Sequence, residues 1–294
     1  MDCLTLDIGG TKTAAAWWQG ADLCLRRELP TPVDAPALLD LLAQLVQGGP
    51  AVQAVGAAVT GVTDGRRIGV LNRTMIAGWD GLPLADHLEQ LLGVPAVLLN
   101  DAQAAAWGEY RASDDGARDL LFVTVSTGVG AGLVLDGRLR TGSTGLAGHL
   151  GHVGGGTAAP GAAACSCGRG ACLECRASGS AMAQQLAALG LGQRTAREWM
   201  DPPHRAHPAV QDWLDGAARA LAEALADAHA LLDLQSVLLG GGLGLHPHFL
   251  LAVREAVGRL PSRFRVPVQA ARLGRDAGLT GMARWLQDRG GATA

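Results

Sequence analysis

Four cysteines fall within one short stretch, Cys165, Cys167, Cys172 and Cys175 in CSCGRGACLEC, and two histidines, His149 and His152, precede them in LAGHLGHVGGG. Thiolates and imidazoles at this spacing suit a tetrahedral ion. Cys165, Cys167 and Cys172 can share one Zn2+ with His152 as the fourth ligand, a closed, structural type of site. Cys172-x2-Cys175 leaves an all-thiolate site open, and ligation by both histidines is a third arrangement. Metal-free, four exposed thiols would be an oxidation liability. The second chemistry is anion binding. DIGGTK (7–12) ends a strand in Gly9-Gly10, where backbone N–H groups can approach a phosphate unobstructed. Thr11 adds a hydroxyl and Lys12 a positive charge, and Asp7 could hold a metal ion directly or through water. The P-loop spacing is absent, and a strand rather than a helix follows, which excludes the dinucleotide fingerprint. STGVGAG (126–132) is a second such turn, carrying Thr127, Gly128, Gly130 and Gly132. In GGG (240–242), Gly241 leaves room for a flat base. Two turns could serve the two ends of a triphosphate. The third chemistry is proton transfer. Asn100-Asp101 closes an apolar strand, where a carboxylate can act as general base for a sugar hydroxyl; Asp is equally a preferred helix N-cap. Glu174, inside the cysteine loop, is a solvated carboxylate unless that loop lines a polar cleft.

The elements that must position these groups alternate. Apolar runs predict strands at 3–8, 13–18, 22–29, 54–59 and 94–100, and helical periodicity covers 35–46, 84–92 and 101–111. The composition turns polar at SDDG (113–116), which marks a domain boundary. A strand, a glycine turn and a second strand then restart over 120–139, with Asp136-Gly137 as a hairpin turn. LTLDIGGTKTAAA (4–16) and VTVSTGVGAGLVL (123–135) share one plan, so the pattern predicts an internal duplication with two related lobes facing each other. Helices are predicted at 177–189, 210–232, 247–260 and 276–289, and strands at 236–242 and 266–271. The expected organisation is an N-terminal α/β lobe over 1–113, onto which the closing helix (about 276–290) packs back, and a larger α/β lobe over 114–275 carrying the metal loop 149–175.

The totals narrow the function classes. Hydrophobic residues make up 48% of the 294, enough for a sizeable core, while a net charge of -3 leaves no footprint for nucleic acid. No basic segment followed by an apolar stretch reads as a secretory signal. No run approaches the roughly 18 apolar residues of a membrane span. Clustered cysteines favour metal over disulfides and a reducing, cytoplasmic compartment.

Taken together, DIGGTK, NDAQAAAWGEY (100–110), VSTGVGAG (125–132) and the CxCGxxxC loop resemble the ROK family of sugar kinases and repressors, in the order that family has them. The resemblance implies a two-lobed actin/hexokinase-like (ribonuclease H-like) α/β fold with a zinc-binding loop. It implies ATP with Mg2+ as the phosphoryl donor, a structural Zn2+ on His152, Cys165, Cys167 and Cys172, and a homodimer without nucleic-acid or membrane partners. It makes Asp101 the catalytic base and Asn100, Asp101, His149, His152 and Glu174 sugar contacts, with Gly61 and Asn72 as further candidates on the same grounds. Cys175 falls outside the family pattern. RRELPTP (26–32) and GLAGHLGH (145–152) are similar to the subgroup that phosphorylates N-acetylmannosamine, and His149 stands where most sugar kinases of the family carry glutamate. Glucose, fructose and N-acetylglucosamine are the competing substrates. The repressors carry a winged-helix domain before the sugar domain, for which Asp7 lies too early.

Overall fold

A computed structural model describes residues 1–71, 77–113, 116–154 and 165–290. The chain divides into two compact units, the first comprising Met1–Asp114, Leu139–Ala147 and Arg275–Ala294, the second Asp115–Arg138 and Gly148–Gly274.

The first unit is built on β1 (Cys3–Ile8), β2 (Lys12–Gln19), β3 (Asp22–Pro30), α1 (Ala35–Val46), β4 (Ala54–Val59), a small hairpin of β5 (Val62–Thr63) and β6 (Ile68–Gly69), α2 (Leu84–Leu92), β7 (Ala96–Asn100) and α3 (Asp101–Ala112). Its sheet runs β3-β2-β1-β4-β7, with β1 antiparallel to β2 and parallel to β4. Alternation along β1 separates two faces. Leu4, Leu6 and Ile8 join Leu38, Leu42, Trp79, Leu84 and Leu88 in one core. Cys3, Thr5 and Asp7 take the other face, where Cys3 packs with Ala283 and Leu286 of a late helix.

The second unit contains β8 (Leu120–Val125), β9 (Val129–Leu135), the start of β10 (Arg138–Arg140), whose Leu139 and Arg140 cluster with the first unit, α4 (Glu174–Ala177), α5 (Gly179–Ala188), α6 (Ala196–Met200), α7 (Pro208–Leu232), β11 (Ser236–Gly240), α8 (Pro247–Arg259) and β12 (Val268–Ala270). Its sheet order is β10-β9-β8-β11-β12, with β8 antiparallel to β9 and parallel to β11. This repeats the plan of the first sheet: a glycine hairpin on one side of the central strand and parallel strands on the other. The Asp136-Gly137 turn has both residues at positive φ, 56° and 71°, the geometry a two-residue hairpin requires. Alanine-rich α7, opened by Pro208 with His207 as its cap, buries Leu214, Leu221 and Leu225 in the core of this unit.

The last helix, α9 (Ala277–Asp288), belongs to the first unit and crosses α3 closely. A Cβ on Gly281 would lie 1.8 Å from the Ala104 carbonyl oxygen, and one on Gly108 would lie 3.0 Å from Gly281. Only glycine permits this approach. Trp107 Nε1 donates to Asp288 (3.0 Å) and Arg284 to the Gly108 carbonyl (2.7 Å), which fixes the crossing.

Three details differ from the sequence reading. Leu139–Ala147, expected in the larger lobe, clusters with the first unit. There Gln103 donates to the carbonyls of Gly145 and Ala147, at 3.1 and 3.0 Å. The helix expected over 177–189 is broken at Ser178, whose side chain caps α5 by accepting from Ala181 N. Helix α6 and the β5–β6 hairpin were not anticipated.

Candidate active site and metal centre

In the first unit the strand tips carry the polar groups. Asn100 ends β7 as the N-cap of α3: its Oδ1 accepts from Ala102 N and Gln103 N, and its Nδ2 donates to the Gly61 carbonyl at 2.8 Å. It is buried, with its Oδ1 on the helix cap and one Nδ2 hydrogen on Gly61, so it holds the first turn of α3 in place. Gly61 is tied into the same arrangement through its carbonyl. Asp101 is therefore the first helical residue rather than the cap. Its Oδ2 accepts from Thr60 Oγ1 at 3.3 Å and its Oδ1 from Ala102 N at 2.7 Å. Asn72 lies outside the described residues.

Asp7 shares this environment. Burial pushes its carboxyl up to about 7, and the nearby charges of Asp101 and Asp276 add to the rise while Arg26 opposes it. Its Oδ2 faces Gly278 in the first turn of α9, where a Cβ would come within 3.1 Å. In the glycine turn, Gly9 N donates to the Lys12 carbonyl at 3.1 Å. Gly10 is partly exposed and Thr11 exposed. Lys12, 68% exposed, pairs with Glu28, which also binds Arg26, and Arg26 reaches Asp276. The sequence reading missed Thr60, Arg26, Glu28 and Asp276. A signal existed for two of them: Asp7 pairs with Ala14 and Ala14 with Glu28, while Ala16 pairs with Arg26. Counting by twos across the hairpin puts these side chains on one face.

In the second unit the glycine turn is narrower than expected. It spans Ser126–Gly128, closed by Ser126 N donating to the Gly128 carbonyl at 2.9 Å. Gly130 and Gly132 lie inside β9, paired with Thr124 and Phe122. They follow the turn in the ladder rather than forming its tip. Gly241 abuts β8, where a Cβ would sit 2.4 Å from the Val125 carbonyl oxygen. Thr127 is exposed, and its carbonyl accepts from Ser180 N. Glu174, the first residue of α4, accepts from Val129 N through Oε2 at 2.9 Å.

The metal-binding expectation meets a definite geometry. One ligand atom each from His152, Cys165, Cys167 and Cys172 lies within 4.8 Å of every other. Cys165 Sγ is 3.6 Å from His152 Nδ1, and Cys167 Sγ is 3.7 Å from Cys172 Sγ. A tetrahedron with Zn–S of about 2.3 Å and Zn–N of about 2.05 Å has edges of roughly 3.55 and 3.75 Å. The donor set therefore fits that ion. Burial pushes the Cys172 thiol up to about 12, with the neighbouring thiols adding to the rise; a central cation relieves such crowding by taking thiolates. Burial likewise lowers His152, opposed by the charge of Glu174, which suits a neutral imidazole ligand. Cys175 is exposed and outside the set. His149 lies beside His152, ring centroids 6.4 Å apart, and is not among the four.

Comparison with known proteins agrees with this architecture. The model of the ROK family matches residues 3–289. The chain is 43% identical over 293 residues to the N-acetylmannosamine kinase of Escherichia coli O1:K1, covering 98% of this chain and 99% of that protein. It is similar to a ROK family glucokinase from Streptomyces griseus, solved in complex with glucose and AMPPNP, with a TM-score of 0.82 and 32% identity over 98% of this chain and 100% of the other. A ROK hexokinase from Thermus thermophilus gives a TM-score of 0.80 and 33% identity over 99% and 100% of the two chains.

Proposed function

The chain belongs to the ROK family, and from that premise we propose that it is a kinase transferring the γ-phosphoryl group of ATP to the 6-hydroxyl of N-acetyl-D-mannosamine, a step in sialic acid breakdown. The observation that carries the reaction type is Asp101, a carboxylate at the tip of β7 whose helix is capped by its neighbour Asn100. Identity of 43% across the full chain to an N-acetylmannosamine kinase supports the choice of sugar, as does His149.

Asp101 accepts the proton of the 6-hydroxyl as that oxygen forms its bond to the γ-phosphorus and the bond to ADP breaks. Phosphoryl transfer passes through a loose transition state in which positioning and charge stabilisation count for more than basicity. Thr60 orients the carboxylate from one side and Ala102 N from the other. The turns at Gly10–Thr11 and Thr127–Gly128 would offer N–H groups to the phosphates, Lys12 would add charge, and Gly241 would leave space for the base. Mg2+ carried with ATP, held through Asp7, would neutralise charge on the phosphate oxygens. Zn2+ on His152, Cys165, Cys167 and Cys172 would brace the loop that presents His149, His152 and Glu174 to the sugar. The protein works in the reducing cytoplasm as a homodimer, which the family resemblance supports and light scattering tests.

A coupled assay of ADP release over a sugar panel tests the reading. N-acetylmannosamine should give the highest kcat/KM. A higher value for glucose, fructose or N-acetylglucosamine would replace the substrate while keeping the mechanism, and absence of ATP turnover with every sugar would end it.

A further inference from the structure

We infer that Glu174 is a positioning residue for the nucleotide, a strap that ties the second glycine turn to the metal-binding loop, so that the state of that loop sets nucleotide affinity. This rests on the proposed reading of Ser126–Gly128 as a phosphate turn.

The turn does not hold itself. Besides the bond from Ser126 N to the Gly128 carbonyl, three hydrogen bonds tie it and the adjoining Val129 to one short stretch of chain, 174–180. Gly179 N donates to the Ser126 carbonyl at 2.7 Å, and Ser180 N donates to the Thr127 carbonyl at 3.1 Å. Val129 N donates to Glu174 Oε2 at 2.9 Å. The carboxylate lies so close against the turn that a Cβ on Gly128 would meet Oε2 at 2.5 Å. Glycine at 128 thus admits the carboxylate as well as a phosphate. Of the three anchors, only that of Glu174 is a side chain, and a hydrogen bond to a charged acceptor is the stronger kind.

The other end of the strap is the metal cluster. A single residue separates Cys172 from Glu174. Between them the buried Leu173 donates its N–H to the Val153 carbonyl at 2.9 Å, next to His152, and Cys175 N closes the turn onto the Cys172 carbonyl. Cys172 Sγ also lies 3.7 Å from the His152 carbonyl. A shift of Cys172 therefore moves α4 and with it the carboxylate on Val129. The Val129 amide, held by Glu174, is removed from the donors that face phosphate, and the turn keeps one shape.

The test is ADP affinity by titration calorimetry without sugar, on full-length protein of measured zinc content. Glu174→Ala should keep its zinc and its Tm and bind ADP roughly tenfold more weakly. Glu174→Gln, which keeps an acceptor oxygen, should recover most of the loss. Wild-type protein stripped of zinc should show the same weakening, and stripping Glu174→Ala should add little, because both changes act through one contact. Unchanged or tighter ADP binding by Glu174→Ala overturns the strap, as does additivity of the two losses. Failure of the wild-type protein to bind ADP overturns instead the nucleotide reading on which the strap rests.

Discussion

Asp101 and Asp7 sit on one side of one sheet, yet their surroundings ask different things of them. Asp101 is held by a hydroxyl and an amide, so its charge is supported. Replacing it with Asn keeps the shape and removes the base: turnover should fall roughly 100- to 10,000-fold while calorimetry finds sugar binding retained. Near wild-type turnover would reduce it to a helix-opening residue. Asp7 is raised from 3.8 to about 7 by burial and by the neighbouring Asp101 and Asp276 carboxylates. A folded-state value above the unfolded one means the native protein binds the proton more tightly. The stabilisation is therefore full below about 4 and is lost as pH rises to about 7, with a slope approaching ~1.4 kcal/mol per pH unit. Ligand-free Asp7→Asn should lack this slope and be more stable than wild type at pH 7.5 by chemical denaturation, while losing Mg2+-ATP turnover. At this scale the sequence was informative about identity and poor about partners. Asp101 stood out by its place after an apolar strand, but Asn100 took the cap, because its amide can accept from two helix N–H groups while donating to the Gly61 carbonyl.

Among the elements, the α3–α9 crossing is where positioning is concentrated. Its closest approach is backbone against backbone, so no side chain can turn aside. Gly281→Ala should cost about 3 kcal/mol or more, a fall in Tm on the order of 6 °C or more, and should lower kcat because α3 carries Asp101 at its start. A melting curve and assay of the same preparation decide it. Most elements were legible, since apolar strands and glycine turns leave strong local patterns. Those missed had local reasons. The small-residue run through 177–189 hides the break at Ser178, where a side-chain cap restarts the helix. The β5–β6 strands are two residues each, too short for any alternation. Helix α6 did announce itself, by a capping box of Thr195 and Glu198, a start signal that was overlooked. The α3–α9 approach had no local signature: a glycine in a helix says nothing of the distant chain it must admit.

For the molecule as a whole, the repeated sheet plan means each unit has its own core and its own glycine turn, while the metal cluster belongs to the second unit only. Removing the metal should therefore lower Tm as well as activity. Cys167→Ala should purify without zinc and melt lower, whereas Cys175→Ala, lacking a place in the cluster, should hold a full complement; zinc analysis beside calorimetric melting distinguishes them. Equal loss in both variants would favour the all-thiolate arrangement. The duplication was visible in sequence as two strand–glycine–strand segments. The assignment of 139–147 was not, because Gln103 captures that segment through carbonyls that carry no side-chain identity.

The first unit is assembled from pieces at opposite ends of the polypeptide, with α9 supplying cover for the face of β1 that bears Asp7. A ribosome that has already released β1 through α3 still withholds that cover until residues 277–288 emerge. During synthesis the whole second unit can close first, while the earlier-made sheet waits with one side wet and its carboxylates hydrated. Nascent chains halted before residue 277 are thus the species that chaperones and proteases would find open, and they would contain Asp7 and Asp101 without a settled place for either.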